Sequence, residues 1–215
     1  MGLLYSATRF LLEGLVRVAS GMEVRGRENI PRSGGLIVAS NHVSFLDPPL
    51  VGIAAVRELH FLAKEELFRP PVFGWLIRTY NAIPIRRGVA DLSGLSKAQD
   101  VLRGGKALIM FPEGSRMRDG ELHPARPGVG MLAVGTDARI VPCYISGSDR
   151  PGGWLTRRSK LCVGFGPARS WQELAGPGSD LAPGRALYQR IGDGLMREIA
   201  EIRNRQRHTA SRGPA

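Results

Sequence analysis

The sequence predicts a single α/β domain: a central, largely parallel or mixed sheet flanked by helices, with an amphipathic helix at the N-terminus. Short apolar runs such as "GLIVAS", "KALIMF" and "ARIVPCYI" alternate with segments of helical periodicity, the pattern left by strands joined through crossover helices. The length, 215 residues, suits one domain with a substantial core. No internal repeat or low-complexity linker divides the chain. The expected boundaries are a helix at 1–20, the main domain at 21–207 and a frayed basic tail at 208–215.

The first twenty residues, "MGLLYSATRFLLEGLVRVAS", look at first like a secretion signal. A signal peptide needs an early basic region and an unbroken apolar stretch. Arg9, Glu13 and Arg17 break this one. Their i, i+4, i+8 spacing stacks them on one helical stripe, where neighbours of opposite sign attract. Leu3, Leu4, Phe10, Leu11, Leu12, Leu15 and Val18 cover most of the remaining circumference. The helix falls short of the ~20 apolar residues that span a bilayer. It suits either the membrane interface or the protein's own core. A stop near Ser20-Gly21 is expected.

Next, "MEVRGREN" reads as a short strand, "IPRSGG" as a turn and "GLIVAS" as a buried strand. "PPLVGIAAV" reads as a short helix, with Asp47 as its cap and Pro48 in its first turn. "ELHFLA" is a strand, "PVFGWLIRTY" a short helix and "NAIPIRR" an extended segment. "LSGLSKAQDVLRGG" is a helix stopping at Gly104-Gly105, and "KALIMF" is a strand running into the loop "PEGSRMRDGELHPARPG". "VGMLAVGTD" is a helix, "ARIVPCYI" and "SKLCVGFG" are strands, and "LYQRIGDGLMREIAEIRNRQR" is the C-terminal helix.

Lysine and arginine number 30 against 19 aspartates and glutamates, a net charge of +11. That balance favours polyanions: nucleic acid, an anionic membrane surface or phosphorylated substrates. Nucleic acid is disfavoured, because no recognised binding motif occurs and the arginines are dispersed rather than clustered with aromatics. Cys143 and Cys162 lie in strand-like apolar runs and read as buried thiols of a reducing compartment. No C-x-x-C or clustered His/Cys pattern occurs, so no metal is expected.

Chemistry concentrates in three loops. In "SNHVSFLDPP" a histidine and an aspartate lie five residues apart, directly after the "GLIVA" strand. On a continuous helix five residues advance ~500°, leaving the side chains ~140° apart. A turn is therefore needed to join them, and strand ends of α/β sheets are where ligand sites gather. An aspartate accepting the imidazole Nδ1–H leaves Nε2 free to take a hydroxyl proton. The competing assignment makes Asp47 a helix cap and His42 a polar loop residue. In "FPEGSR" a glycine turn brings backbone N–H groups near an anion, and Arg116 offers a forked donor. Pro-Glu-Gly is also an ordinary turn. "IPIRR" ends an extended segment with Arg86 and Arg87, which are either phosphate partners or a solvated strand end.

Taken in order, "NHVSFLD", "AIPIRR", "FPEGSR" and "IVPCYI" resemble the four motifs of the glycerolipid acyltransferases. That family includes the 1-acyl-sn-glycerol-3-phosphate, or lysophosphatidate, acyltransferases. Asn41, His42, Ser44 and Asp47 match its N-H-x-S-x-x-D. Phe111 to Arg116 match F-P-E-G-T-R, with Ser115 keeping the hydroxyl of the threonine. Arg87 ends the second motif, and Arg86 makes it more basic than usual. Val141-Pro142 match the fourth. Arg126 to Gly128 resemble a K/R-x-G segment, and Ala63, Lys64, Glu66 and Leu67 resemble A-K-x-E-L. The resemblance runs from about Met22 to Phe165.

The resemblance implies an O-acyltransferase that works without a cofactor and without a covalent enzyme intermediate. It moves a fatty acyl group from acyl-CoA or an acyl-acyl carrier protein to the hydroxyl of 1-acylglycerol 3-phosphate, giving phosphatidic acid. His42 is implied as general base, Asp47 as its orienting carboxylate, and Lys64 or backbone N–H groups as oxyanion donors. Arg87 and Arg116 are implied at the acceptor phosphate, with Asn41, Ser44, Glu113, Gly114 and Ser115 completing the substrate site. A forked guanidinium suits phosphate better than an ammonium does. A lyso-ornithine lipid, another lysophospholipid or a glycolipid fits the same motifs as acceptor. The implied partners are therefore a lysolipid, a thioester donor and an anionic membrane surface. The implied location is peripheral or monotopic, at the cytoplasmic face of the cell membrane. The motifs are silent on oligomeric state. The loop "SGSDRPGGW", Ser146 to Trp154, follows the fourth motif and is a candidate wall of the acyl or thioester site.

Overall fold

The computed structural model describes residues 3–86, 92–150, 152–153, 156, 160–177 and 182–211. Among these, seven strands form one sheet. They are β1 (Glu23–Arg25), β2 (Leu36–Ser40), β3 (Leu59–Lys64), β4 (Ala82–Ile85), β5 (Ala107–Met110), β6 (Arg139–Ser146) and β7 (Cys162–Phe165). Their order across the sheet is β1-β7-β6-β2-β5-β3-β4. β6, β2, β5, β3 and β4 run parallel. β7 meets β6 antiparallel and carries β1 parallel to itself. The described helices are α1 (Leu3–Ser20), α2 (Asp47–Ala54), α3 (Pro71–Thr79), α4 (Leu92–Arg103), α5 (Gly128–Thr136), α6 (Trp171–Ala175) and α7 (Arg185–Ser211).

The central strands are apolar without interruption because both faces of the sheet are covered. Leu36 and Val38 of β2 point to one face, where they meet Leu50, Val51 and Ala54 of α2. Ile37 and Ala39 point to the other, where Leu102 of α4, Leu132 of α5 and Ile191 of α7 pack. β6 divides in the same way, Val141, Cys143 and Ile145 to the first face and Ile140 and Tyr144 to the second. The division has the period of two of a strand, with successive side chains on opposite faces.

Two elements differ from expectation. The C-terminal helix does not end at 207 but runs to Ser211. His208, Thr209, Ala210 and Ser211 include no glycine or proline to stop it. α6 was not anticipated, although "SWQE" encodes it. Ser170 accepts the Glu173 N–H while the Glu173 carboxylate accepts the Ser170 N–H, a complete capping box.

α1 sits with its polar stripe inward. Glu13 is buried and pairs with Arg9, Arg17 and Arg27. Arg9 also donates to the carbonyls of Ile53 and Ala55, which close α2, where a cation meets the negative end of the helix dipole. Phe10, Leu11, Leu15 and Val18 are left facing outward, each at least 65% exposed. Of the two settings open to this helix, packing of its apolar face on the protein's own core is therefore not the one adopted. Among the described residues no helix is long and apolar enough to cross a membrane.

Candidate active site

Most of the sequence motifs end at the carboxyl end of a parallel strand, while the fourth, around Val141-Pro142, lies within β6 itself. β2 runs into "NHVSFLD", β5 into "FPEGSR", β3 ends on Lys64, β4 on Ile85 ahead of Arg86, and β6 runs into Gly147-Ser148. Strand direction alone thus gathers residues far apart in sequence along one edge.

Asn41 extends the sheet beyond the end of β2. Its Nδ2 donates to Ile145 O (3.0 Å) and its Oδ1 accepts the Ile145 N–H (2.8 Å). Both ends of the buried amide are thereby engaged with β6. The chain then turns around the carboxylate of Asp47, which is fully buried. Oδ2 accepts the N–H groups of Val43 (2.7 Å) and Ser44 (2.8 Å) and lies 2.8 Å from His42 Nδ1. Oδ1 accepts the Ser148 hydroxyl at 2.5 Å. Four donors compensate the burial of this charge. Ser44 Oγ accepts the Leu46 N–H (3.2 Å) and tightens the same turn. Asn41 and Ser44, grouped above with substrate binding, here hold the turn.

The capping role expected for Asp47 is corrected. Leu46 occupies the cap position of α2 with no side-chain cap bond, and Asp47 is already helical. Its carboxylate folds back to the N–H groups upstream of the helix, because those groups and His42 compete for it at short range. Pro in the first turn of α2 is as expected.

With Nδ1–H donated to Asp47, His42 presents Nε2 as an acceptor. The imidazole stacks on Phe111, with ring centroids 4.0 Å apart and planes at 22°. It also lines a cavity of about 1050 Å³. Leu12, Ile53, Phe61, Leu67, Phe73 and Leu76 contribute to an apolar wall, while Lys64, Ser115, Arg116 and Arg118 add polar groups. Arg116 lies over the ring of Phe45, its guanidinium carbon 3.4 Å from the centroid, a cation–π pairing. Lys64 is exposed. Arg87 lies outside the described residues, as does Trp154 at the end of the Ser146–Trp154 loop.

Glu113 braces the site from below. Its two oxygens accept the N–H of His42 (3.0 Å) and of His123 (3.1 Å). Burial pushes its carboxyl above the usual range, and those two N–H groups pull partly the other way. Gly114 has φ +77, and a Cβ there would lie 2.5 Å from Arg126 Cδ. This explains why the glycine of "FPEGSR" and the arginine of "ARPG" belong together: one leaves room for the other's stem. His60 lies 3.3 Å from the Ala107 carbonyl through Nδ1, and burial lowers its pKa. His123 pairs with Asp119 at the surface. Burial pushes the Cys143 thiol up to about 12 and Cys162 up to about 11, so both stay protonated and inert. Among the described residues no cluster of three His, Cys, Asp or Glu side chains is arranged to hold a metal ion.

Two contributors escaped sequence reasoning. Phe111 was seen only as a motif letter, and Ser148 lies 101 residues beyond its partner.

A family model described as Acyltransferase matches residues 21–146. A chloroplastic 1-acyl-sn-glycerol-3-phosphate acyltransferase of Brassica napus is 29% identical over 131 residues, 60% of this chain and 38% of the relative. A lyso-ornithine lipid O-acyltransferase of Pseudomonas aeruginosa is 34% identical over 140 residues, 65% of this chain and 53% of the relative. The match thus spans between about two fifths and half of these relatives' own length. The crystal structure of the 1-acyl-sn-glycerophosphate acyltransferase PlsC from Thermotoga maritima superposes with a TM-score of 0.64 at 25% identity. That similarity covers 92% of this chain and 82% of the other.

Proposed function

Since the chain belongs to the acyltransferase family, we propose that it transfers a fatty acyl group from an acyl thioester to the free hydroxyl of 1-acylglycerol 3-phosphate, with His42 as general base. The observation that carries this reading is the apolar cavity whose lining includes both His42 and the cation Arg116. A ring nitrogen able to accept a proton, an apolar space and a guanidinium suited to an anion support it together. His42 Nε2 takes the proton of the acceptor hydroxyl as its oxygen bonds to the thioester carbonyl carbon. Asp47 stabilises the imidazolium that forms. The tetrahedral oxyanion is held by Lys64 or by backbone N–H groups. Collapse breaks the C–S bond, and the thiolate receives the proton from His42. The products are an ester and a free thiol. The donor is acyl-CoA or an acyl-acyl carrier protein. Arg116, with Arg87, binds the acceptor phosphate.

The same reading places the protein at the cytoplasmic face of the membrane. The outward apolar face of α1 and the exposed Val72, Phe73, Trp75 and Leu76 of α3 suit burial among lipid headgroups, and the charge of +11 suits an anionic surface. A lyso-ornithine lipid acceptor is the second reading, favoured by the 34% identity to such an acyltransferase. A thiol-release assay with acyl-CoA and acyl-acyl carrier protein against a lysolipid panel tests both readings. Turnover greatest with lysophosphatidic acid supports the first, and a preference for lyso-ornithine lipid supports the second. No thiol release with any lysolipid overturns both.

A further inference from the structure

We propose that Ser148 is a positioning residue of this site, the third member of a buried Ser–Asp–His chain. The inference rests on the base role proposed for His42. The Ser148 side chain is fully buried, and its hydroxyl donates to Asp47 Oδ1. Asp47 Oδ2 is shared by His42 and the N–H groups of Val43 and Ser44. Each oxygen of the carboxylate is thus held from a different side, and its plane is fixed. With Oδ1 unheld, the carboxylate swings about its last bond, and Oδ2 leaves the line of the imidazole Nδ1–H. Ser148 therefore sets the aim of Nε2 without touching substrate.

The backbone around Ser148 is built for this one contact. Gly147 has φ +84, a left-handed conformation that ends β6 abruptly. A Cβ at position 147 would come within 2.3 Å of the Lys160 carbonyl, so the turn presses against the chain entering β7. Arg150 N–H closes it on the Gly147 carbonyl (3.3 Å). The turn sends residue 148 back under the sheet edge to Asp47. The Ser146–Trp154 loop, a candidate wall of the acyl site, thus serves the chemistry through Asp47. None of its described residues lines the cavity.

The proton inventory supports the direction of donation. Val43, Ser44 and His42 all donate to Oδ2, and Asp47 as an anion offers only acceptors. The hydroxyl of Ser148 has this carboxylate oxygen at hydrogen-bond distance and donates to it. Removing that donor leaves a buried carboxylate one bond short and free to turn away from the imidazole.

The test compares Ser148→Ala, Ser148→Thr and Ser148→Cys with the unaltered enzyme and with His42→Ala, by thiol release with kcat and KM measured separately. Ser148→Ala lowers kcat roughly tenfold, since a bond to a charged group is lost, and leaves KM for both substrates within about twofold. Ser148→Thr keeps the hydroxyl and restores kcat, which a merely space-filling role would not require. Ser148→Cys keeps a side chain of the same branching but is a weak donor, so it shows the same loss of kcat and carries the test if Ser148→Ala does not fold. A folded Ser148→Ala or Ser148→Cys enzyme with unaltered kcat, or a loss that Ser148→Thr does not restore, overturns the role of Ser148. If His42→Ala retains turnover, the base reading itself fails, which separates the two outcomes.

Discussion

Asp47→Asn isolates the charge of the site from its shape. The amide oxygen can take the place of Oδ2 and still accept from Val43, Ser44 and His42, while the amide nitrogen faces Ser148 Oγ, which accepts as readily as it donates. The turn therefore survives. What disappears is the negative charge beside the imidazole. Nδ1 and Oδ2 are 2.8 Å apart, which puts the charge centres roughly 4 Å apart. At an effective dielectric constant of about 20 their attraction is about 4 kcal/mol. In the proposed mechanism the imidazolium forms only as the hydroxyl proton moves, so this stabilisation is felt in the transition state and not in the ground state. The variant is expected to lose about 10³-fold in kcat with KM little altered. The assay is thiol release by purified protein, with circular dichroism to show that the fold is intact. A folded Asp47→Asn enzyme within tenfold of the original rate refutes the idea that this carboxylate stabilises a transient imidazolium.

Arg116→Ala raises KM for a phosphorylated acceptor roughly tenfold or more, as a charge-assisted contact is lost, with little change for an uncharged acceptor; an equal KM for both counts against a phosphate role. Glu113 has a folded-state pKa raised by burial, so the native state binds the extra proton and stability falls as pH climbs from the ordinary glutamate range through the raised value. Glu113→Gln removes that slope and costs about 1–3 kcal/mol, because its NH₂ must confront the N–H of His42 or His123; denaturant melts across pH check both, and an unchanged slope refutes the assignment. Phe10→Glu with Val18→Glu, both 73% exposed, leaves the fold intact but cuts sedimentation with anionic vesicles at least about tenfold. Unaltered vesicle binding rejects α1 as the anchor.

Most of the fold was legible because each central strand is a short apolar run with turn residues at both ends. The division of Leu36 and Val38 from Ile37 and Ala39 is hidden in such a run, since both faces are buried and the period is silent. The motif loops were legible for a different reason. A polar cluster directly after a buried strand must lie at a sheet edge, and parallel strands bring those edges together. Five-residue spacing demanded a turn between His42 and Asp47, and the turn is there. Sequence could not say which oxygen of Asp47 does what, because Ser148 arrives from the distant turn after β6. Nor could it say which side of α1 meets the protein. Periodicity reveals two faces, but the inward turn of the Arg9–Glu13–Arg17 stripe depends on Arg27 and on the open carbonyls of α2.

The most direct test of the proposed chemistry is His42→Ala, purified, shown to be folded, and assayed for thiol release with an acyl thioester and lysophosphatidic acid. In the proposed chemistry the imidazole takes part in both proton transfers, so loss of turnover by at least about 10³-fold is expected, with vesicle binding unchanged. Transfer at a rate close to the original by the folded variant contradicts the assignment of His42 as the base.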